Sequence, residues 1–403
     1  MTHRGRTARN AVAAVAVTLM LTAFSMAEDS ETVLHAFTGG KDGAGGGFNL
    51  VADSAGNLYG TAWGGGNKST GCEKYTGTPG CGVVFELSPG GNGTWNETVL
   101  YTFTGGKDGG GPIGGVIMDS AGNLYGTTFY GGDEKPLVCH ATITFPAGCG
   151  VVYKLAPHKS KWTETVLYTF TGGKDGAGPW SRLIFDSNGN LYGTGSDGGD
   201  DSCGPPYGCG VVFKLTPNAH GPWKEKVLYT FSRFRDGLFP DAGVTFDSQG
   251  NLYGATAIGG DKSVMCATGS VPGCGVVFKL TPAAKGPWTE TVLHTFTGGT
   301  DGGYPLFYVT LDSSGNVYGT TLVGGGSTNC SFGGGSGCGV VFELAQGTWD
   351  ETVLYAFTGG NGGGNVFSPA IFDSAGNIYG VANGGVHGWG VVFQLTPAGP
   401  PVE

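Results

Sequence analysis

Apolar and polar residues alternate with a period of two in short runs along the chain, and the runs themselves recur. One reads E-(T/K)-V-L, as at Glu97–Leu100. The next reads F-D-S-x-G-N-L-Y-G, as at Phe185–Gly193, and the last G-x-V-(F/Y)-x-L, as at Gly210–Leu215. The N-L-Y-G element starts at Asn57, Asn123, Asn190, Asn251, Asn316 and Asn377, with Val317 and Ile378 replacing Leu in the last two. The steps between copies run from 61 to 67 residues. A regular repeat of this length sets the architecture before any single residue is read. In the first copy the pattern predicts four strands, a to d: Phe48–Asp53, Asn57–Ala62, Gly82–Leu87 and Thr98–Phe103. They carry β-branched and aromatic residues and are bounded by Gly, Asn, Asp or Pro. Asp53–Asn57 reads as a tight a–b turn, in which Asp and Asn bond local backbone and Gly supplies a positive φ. No segment shows helical periodicity.

Six four-stranded units predict an all-β fold, a six-bladed β-propeller, which leaves only short protected edges. A β-helix is the alternative, but its coils are usually shorter and lack long pinned loops. Two packed sandwiches would not give six equal units. The phase of the repeat adds a further expectation. The last unit has a (Phe367–Asp373), b (Asn377–Ala382) and c (Gly390–Leu395) but no d, whereas a lone d strand, Thr32–Phe37, precedes the first unit. That N-terminal strand is expected to complete the last blade and close the ring.

Composition modifies this picture in three places. Glycine makes up 82 of 403 residues, against a usual share of about 7%. Its interleaving with regular apolar positions argues for turns and close backbone contacts rather than disorder. The ten cysteines form five local pairs between strands b and c: Cys72 with Cys81, Cys139 with Cys149, Cys203 with Cys209, Cys266 with Cys274, and Cys330 with Cys338. The sixth unit has neither member. Joint presence or absence is what disulfide partners show, and zinc would need more ligands than each loop offers. Finally, Arg4, Arg6 and Arg9, the apolar Ala11–Phe24 and the small-residue site Ser25-Met26-Ala27 read as a secretory signal over residues 1–27. This leaves residues 28–403 as one propeller domain, secreted or periplasmic, expected to be monomeric and without a membrane span. The net charge of −10 argues against nucleic acid as a partner. Beyond the signal, the arginines are Arg182, Arg233 and Arg235.

The unit N-L-Y-G-T-(T/A)-x-x-G-G…G-C-G-V-V-F-K-L resembles the Gloeobacter/Verrucomicrobia (GloVer) tandem repeat over essentially all of the chain beyond the signal. The resemblance implies an exported bacterial repeat protein and supplies no established activity or site. Members often carry varied C-terminal anchors, whereas this sequence ends Pro400-Pro401-Val402-Glu403. The a–b segment Phe185–Tyr192 also resembles NHL-type and lactonase-type blades, an analogy of fold alone.

In a propeller, the b–c and d–a loops share one face, so the pinned loops lie beside the Gly-Gly-x-Asp-Gly loops such as Gly105–Gly109. Repeated residues read mainly as scaffold. Trp95, Trp162, Trp223, Trp288 and Trp349 read as caps on the blades more readily than as a sugar platform. Asp42, Asp108, Asp175, Asp236 and Asp301 read as turn closers, because each loop offers calcium a single carboxylate. Function is expected where the repeat is broken. At the top of strand a, facing the central channel, Phe48, Asn49, Trp180, Arg182, Asp241, Phe307, Tyr308 and Phe367 form a candidate small-ligand pocket. Arg233 and Arg235 make one d–a loop basic. The last b–c loop shrinks to Asn383–Trp389, with His387 and Trp389 at a notch in the rim.

No G-x-S-x-G elbow or H-E-x-x-H is present, and the histidines have no metal spacing. No catalytic residue, metal or cofactor is therefore assigned. The favoured expectation is a non-enzymatic binding or scaffold module, with glycan or another surface polymer as ligand. The alternatives are a lactonase-like hydrolase or lyase at the channel mouth, and a structural envelope protein.

Overall fold

Six antiparallel sheets follow one another along the chain in the computed structural model and form a six-bladed β-propeller. The structure describes residues 34–396 apart from 48, 67–71, 73–78, 133–138, 140–147, 160, 204–207, 220, 233–234, 267–271, 375 and 386–390. Residues 35–403 make one compact unit, which holds all six sheets.

Blade 3 shows the plan. Strand a is Ile184–Phe185, b is Leu191–Gly195, c is Val211–Thr216 and d is Lys224–Thr230, each pairing with the next. Strand a is only two or three residues long in every blade, shorter than its sequence pattern suggests. Strand b is buried on both faces, with Leu191 and Tyr192 at most 5% exposed. The glycine of N-L-Y-G has a packing reason. A Cβ on Gly193 would stand 2.7 Å from the Phe213 ring and 2.8 Å from Leu183. The same clash with the aromatic ring of strand c recurs at Gly60, Gly126, Gly254, Gly319 and Gly380. In the first five blades strand d carries a register shift opposite the V-V-F run, as between Val212 and Phe213. This bulge increases strand twist and sends Leu228 inward, where it is 1% exposed.

Neighbouring blades are joined by one aromatic contact repeated around the ring. The phenylalanine ending strand d meets the strand c aromatic of the next blade: Phe103–Tyr153, Phe170–Phe213, Phe231–Phe278, Phe296–Phe342 and Phe357–Phe393, with centroids 5.0–5.2 Å apart. Phe37 makes the same contact with Phe85, at 5.2 Å. The N-terminal segment thus supplies the packing of a d strand at the junction between blades 6 and 1. Of the segment expected to close the ring, Thr32 and Val33 lie outside the described residues. Among those described, no ladder joins it to strand c of blade 6, Val391–Leu395.

The tryptophans cap the neighbouring blade rather than their own. Trp162 meets Tyr59, Trp223 meets Tyr125 and Trp349 meets Tyr253, at 6.2–6.3 Å. The turn aspartates hold the a–b turns: Asp186 accepts hydrogen bonds from the backbone of Asn188 and Asn190, the Asn190 amide and the Tyr192 hydroxyl. The loop aspartates close the d–a turns: Asp175 accepts from the Thr171 backbone, the Thr171 hydroxyl and the Tyr168 hydroxyl.

All five expected disulfides are formed. Cys72 is bonded to Cys81, Cys139 to Cys149, Cys203 to Cys209, Cys266 to Cys274 and Cys330 to Cys338. The second member of each pair is the better buried anchor: Cys81, Cys149, Cys209, Cys274 and Cys338 are all fully shielded from solvent. Each stands just before strand c, where the G-C-G phrase enters the sheet, so the bond ties a long loop to the rigid part of its blade. Four of the disulfides lie against a d–a loop glycine with positive φ. A Cβ on Gly105, Gly172, Gly298 or Gly359 would come within 3.0 Å of a disulfide sulfur. The pinned loops and the glycine loops therefore do share a face.

Candidate functional site

The residues just before strand a in five of the blades come together in one cavity. Counting back from each turn aspartate, the positions four to six residues earlier line one cavity. Blade 1 supplies Asn49 and blade 2 Gly114. Blade 3 supplies Trp180, Ser181 and Arg182, blade 4 Asp241 and Ala242, and blade 5 Leu306, Phe307 and Tyr308. The cavity is shallow and small, about 20 Å³, and opens to solvent, room for roughly one water. Six residues singled out from the sequence thus meet in one place. Four lining residues were not anticipated: Gly114, Ser181, Ala242 and Leu306. They occupy the same three offsets, and three of them, Gly114, Ser181 and Ala242, have small side chains.

The wall is held by contacts between blades. The Asn49 amide donates to the Val116 carbonyl at 3.2 Å, and the Thr127 hydroxyl donates to the Ser181 carbonyl at 3.2 Å. Trp180 stands edge-on to Phe129 at 5.1 Å. Two positions upstream of the lining, the backbone takes the left-handed conformation in every blade. Glycine fills this position as Gly45, Gly111 and Gly178, but Phe239, Tyr304 and Asn365 adopt it with φ between 51° and 61°. Aromatic residues there are held by their surroundings at a cost of about 1–3 kcal/mol. Nothing in the alternation pattern signals this conformation.

Two charged groups line the cavity without pairing. The Arg182 guanidinium lies over the Tyr308 ring, 3.7 Å from its centroid. Burial holds its pKa below the ordinary arginine value, and its Nε, shielded from solvent, has no hydrogen-bond partner in the protein. Asp241 is recessed in the wall yet reachable from the mouth. Burial first, and the nearby Asp197 carboxylate after it, push its carboxyl up to about 7.

The remaining candidates fall elsewhere. Phe367 packs behind the pocket, on Phe307 at 6.3 Å and Phe332 at 5.4 Å. Arg235 is exposed on the loop between blades 3 and 4 and does not line the cavity. Phe48, Arg233, His387 and Trp389 lie outside the described residues.

The structure also brings out carboxyls that sequence reading passed over. Glu164, Glu225, Glu290 and Glu351, from the E-(T/K)-V-L runs, sit between adjacent strands d. Burial pushes each up to about 7. The d–a loop aspartate of the preceding blade adds to the rise: Asp108, Asp175, Asp236 and Asp301 respectively. Their recurrence at successive junctions marks them as part of the frame. Among the described residues, no group of three or more His, Cys, Asp or Glu is arranged to hold a metal ion.

The Gloeobacter/Verrucomicrobia repeat family matches residues 70–332, more than half of the sequence, and the chain belongs to that family. No curated protein matches it. Solved structures resemble the chain at low identity. A gluconolactonase from Xanthomonas campestris is 14% identical, with 74% of each chain covered and a TM-score of 0.38. A chain of the nidogen/laminin complex is 11% identical, covering 79% of this chain and 91% of that one, at 0.41. A protein of unknown function from Dyadobacter fermentans is 10% identical, covering 87% and 93%, at 0.44. At these scores the likenesses carry no functional argument. Among the described residues, no helix is long and apolar enough to cross a membrane.

Proposed function

We propose that this protein is an exported β-propeller binding module that takes its ligand in the pocket at the mouth of the channel. One observation carries the reading: the residues that break the repeat converge there from separate blades, while the repeated residues are spent on strands, turns and junctions. Aromatic walls with a few convergent polar groups are the usual make-up of a small-ligand site. Five disulfides suit an oxidising compartment outside the cytoplasm, in keeping with the secretory signal expected from residues 1–27.

A hydrolase at the same mouth is the second reading, and Asp241 favours it. A recessed carboxyl pushed up to about 7 exchanges a proton readily near neutrality. Against it, no second carboxyl or histidine joins Asp241 in the lining, and the Ser181 hydroxyl is engaged with the Thr194 hydroxyl at 2.9 Å. Thermal-shift screening against polysaccharides and small sugars, with the wild type and Trp180→Ala, tests the proposal. A ligand-dependent rise in Tm that the variant loses is expected. Turnover of lactones by the wild type, abolished in Asp241→Asn, would replace binding with catalysis.

A further inference from the structure

Arg182 is the cation lining the pocket, and the protein leaves its charge unanswered. Among the described ion pairs none involves Arg182, although burying a guanidinium without a partner is costly. Tyr308 stacked beneath it fixes the plane of the guanidinium fork, and such a fork matches a carboxylate through two parallel hydrogen bonds. Asp241 stands in the same wall without reaching it. We infer that the pocket recognises a single hydroxylated ring bearing a carboxylate, of the uronic-acid class, with Arg182 binding the carboxylate. The inference rests on the binding reading above and names its ligand.

The rest of the lining fits that chemistry. Trp180 lines the mouth as aromatic surface for the apolar face of a pyranose ring, with Phe307 buried behind it and Tyr308 carrying the guanidinium. Asn49 spends its amide on Val116, which leaves its side-chain oxygen to accept from a hydroxyl. A phosphate, with its higher charge, would call for more than one cation, and the lining contains no lysine. Because the cavity is open to solvent, only the carboxylate edge of the ring need enter it, whether from a free uronate or from the terminal residue of an acidic polysaccharide.

The test uses the intact oxidised protein and isothermal titration at pH 6. The probes are D-glucuronate and D-galacturonate, their neutral methyl esters, glucose and galactose, and a tri-uronate. At least one acid should bind roughly 10- to 100-fold more tightly than its ester and its neutral sugar, the range expected for a charged hydrogen bond. Arg182→Met should abolish that preference. If the variant does not fold, the acid-against-ester comparison on the wild type stands alone. Tri-uronate binding as well as the monomer points to a chain end as the source, and its exclusion points to the free acid. Neutral sugars bound as tightly as the acids, with both lost in Trp180→Ala, would overturn the uronate inference and leave the binding module intact. If no probe binds while the wider sugar screen finds a Trp180-dependent ligand, the uronate inference falls. If that screen is also blank, the binding reading falls with it.

Discussion

Blades 3 and 6 are written in nearly the same phrase, yet they do different work. In blade 3, Val212 on strand c is fully buried and the b–c loop is pinned by the bond between Cys203 and Cys209. In blade 6 the matching Val392 is 78% exposed, Val381 on strand b is 44% exposed, and there are no cysteines. Even the d–a glycine differs. A Cβ on Gly172, in the loop after blade 2, would strike that blade's disulfide, whereas one on Gly39, after the N-terminal segment that packs at the blade 6 junction, would meet nothing within 4 Å. Blade 3 gives three residues to the pocket, while blade 6 gives only Phe367 behind it. The comparison teaches that the phrase specifies strands, while burial comes from neighbours and function from departures. An aromatic in strand c is as valuable as the d strand and the blade that cover it.

The largest effect should come from breaking the blade junctions. Phe213→Ala removes a fully buried ring, and is expected to cost about 3–5 kcal/mol. Phe393→Ala, at the half-buried counterpart, should cost under about 2 kcal/mol on the same scale. Urea melts of the two variants measure the gap, and equal losses would mean that blade 6 is as tightly covered as blade 3. Next in size is the staple. Replacing Cys203 and Cys209 together by Ala should lower stability by up to about 2–3 kcal/mol, read as a shift in the denaturation midpoint. Reduction of the wild type should leave local exchange in blade 6 unaltered.

The smallest effect sharpens the comparison through pH. Glu164, Glu225, Glu290 and Glu351 have folded pKa values raised to about 7. Each contribution is therefore full below the unfolded carboxyl range and is lost as pH rises through about 7. Tm should fall by roughly 3–8 °C between pH 5.5 and pH 8, the reverse of what exposed carboxylates give. Asp42, Asp119, Asp186, Asp247 and Asp301 are lowered instead, so their contribution fades only as pH falls below the carboxylate range. Glu225→Gln should flatten part of the alkaline loss. Asp301→Asn should likewise lessen the rise at Glu351, since the Asp301 carboxylate adds to it.

Much of the frame was legible in the sequence because it rests on local chemistry. Asp186 and Asn190 make their turn within a few residues. Cysteines six to ten residues apart, such as Cys203 with Cys209 and Cys139 with Cys149, pair within one loop. The pocket was legible only in part. The broken positions could be named, but not which of them meet. Arg182 and Tyr308 both stood out, while their stacking did not. Arg235 stood out equally and does not line the cavity. The raised glutamates were hidden because E-(T/K)-V-L reads as an ordinary alternating strand, and only the neighbouring blade makes it an interface.

The sequence by itself determined the strands, their number, the turns and the disulfide partners. Each of these depends on the period of two, on turn chemistry or on short separations. The tertiary structure decided which departures from the repeat share a cavity, which carboxyls lose their water and that Phe37 packs on Phe85 at the blade 1 junction. Those outcomes depend on bringing blades far apart in the chain side by side, which no local pattern encodes.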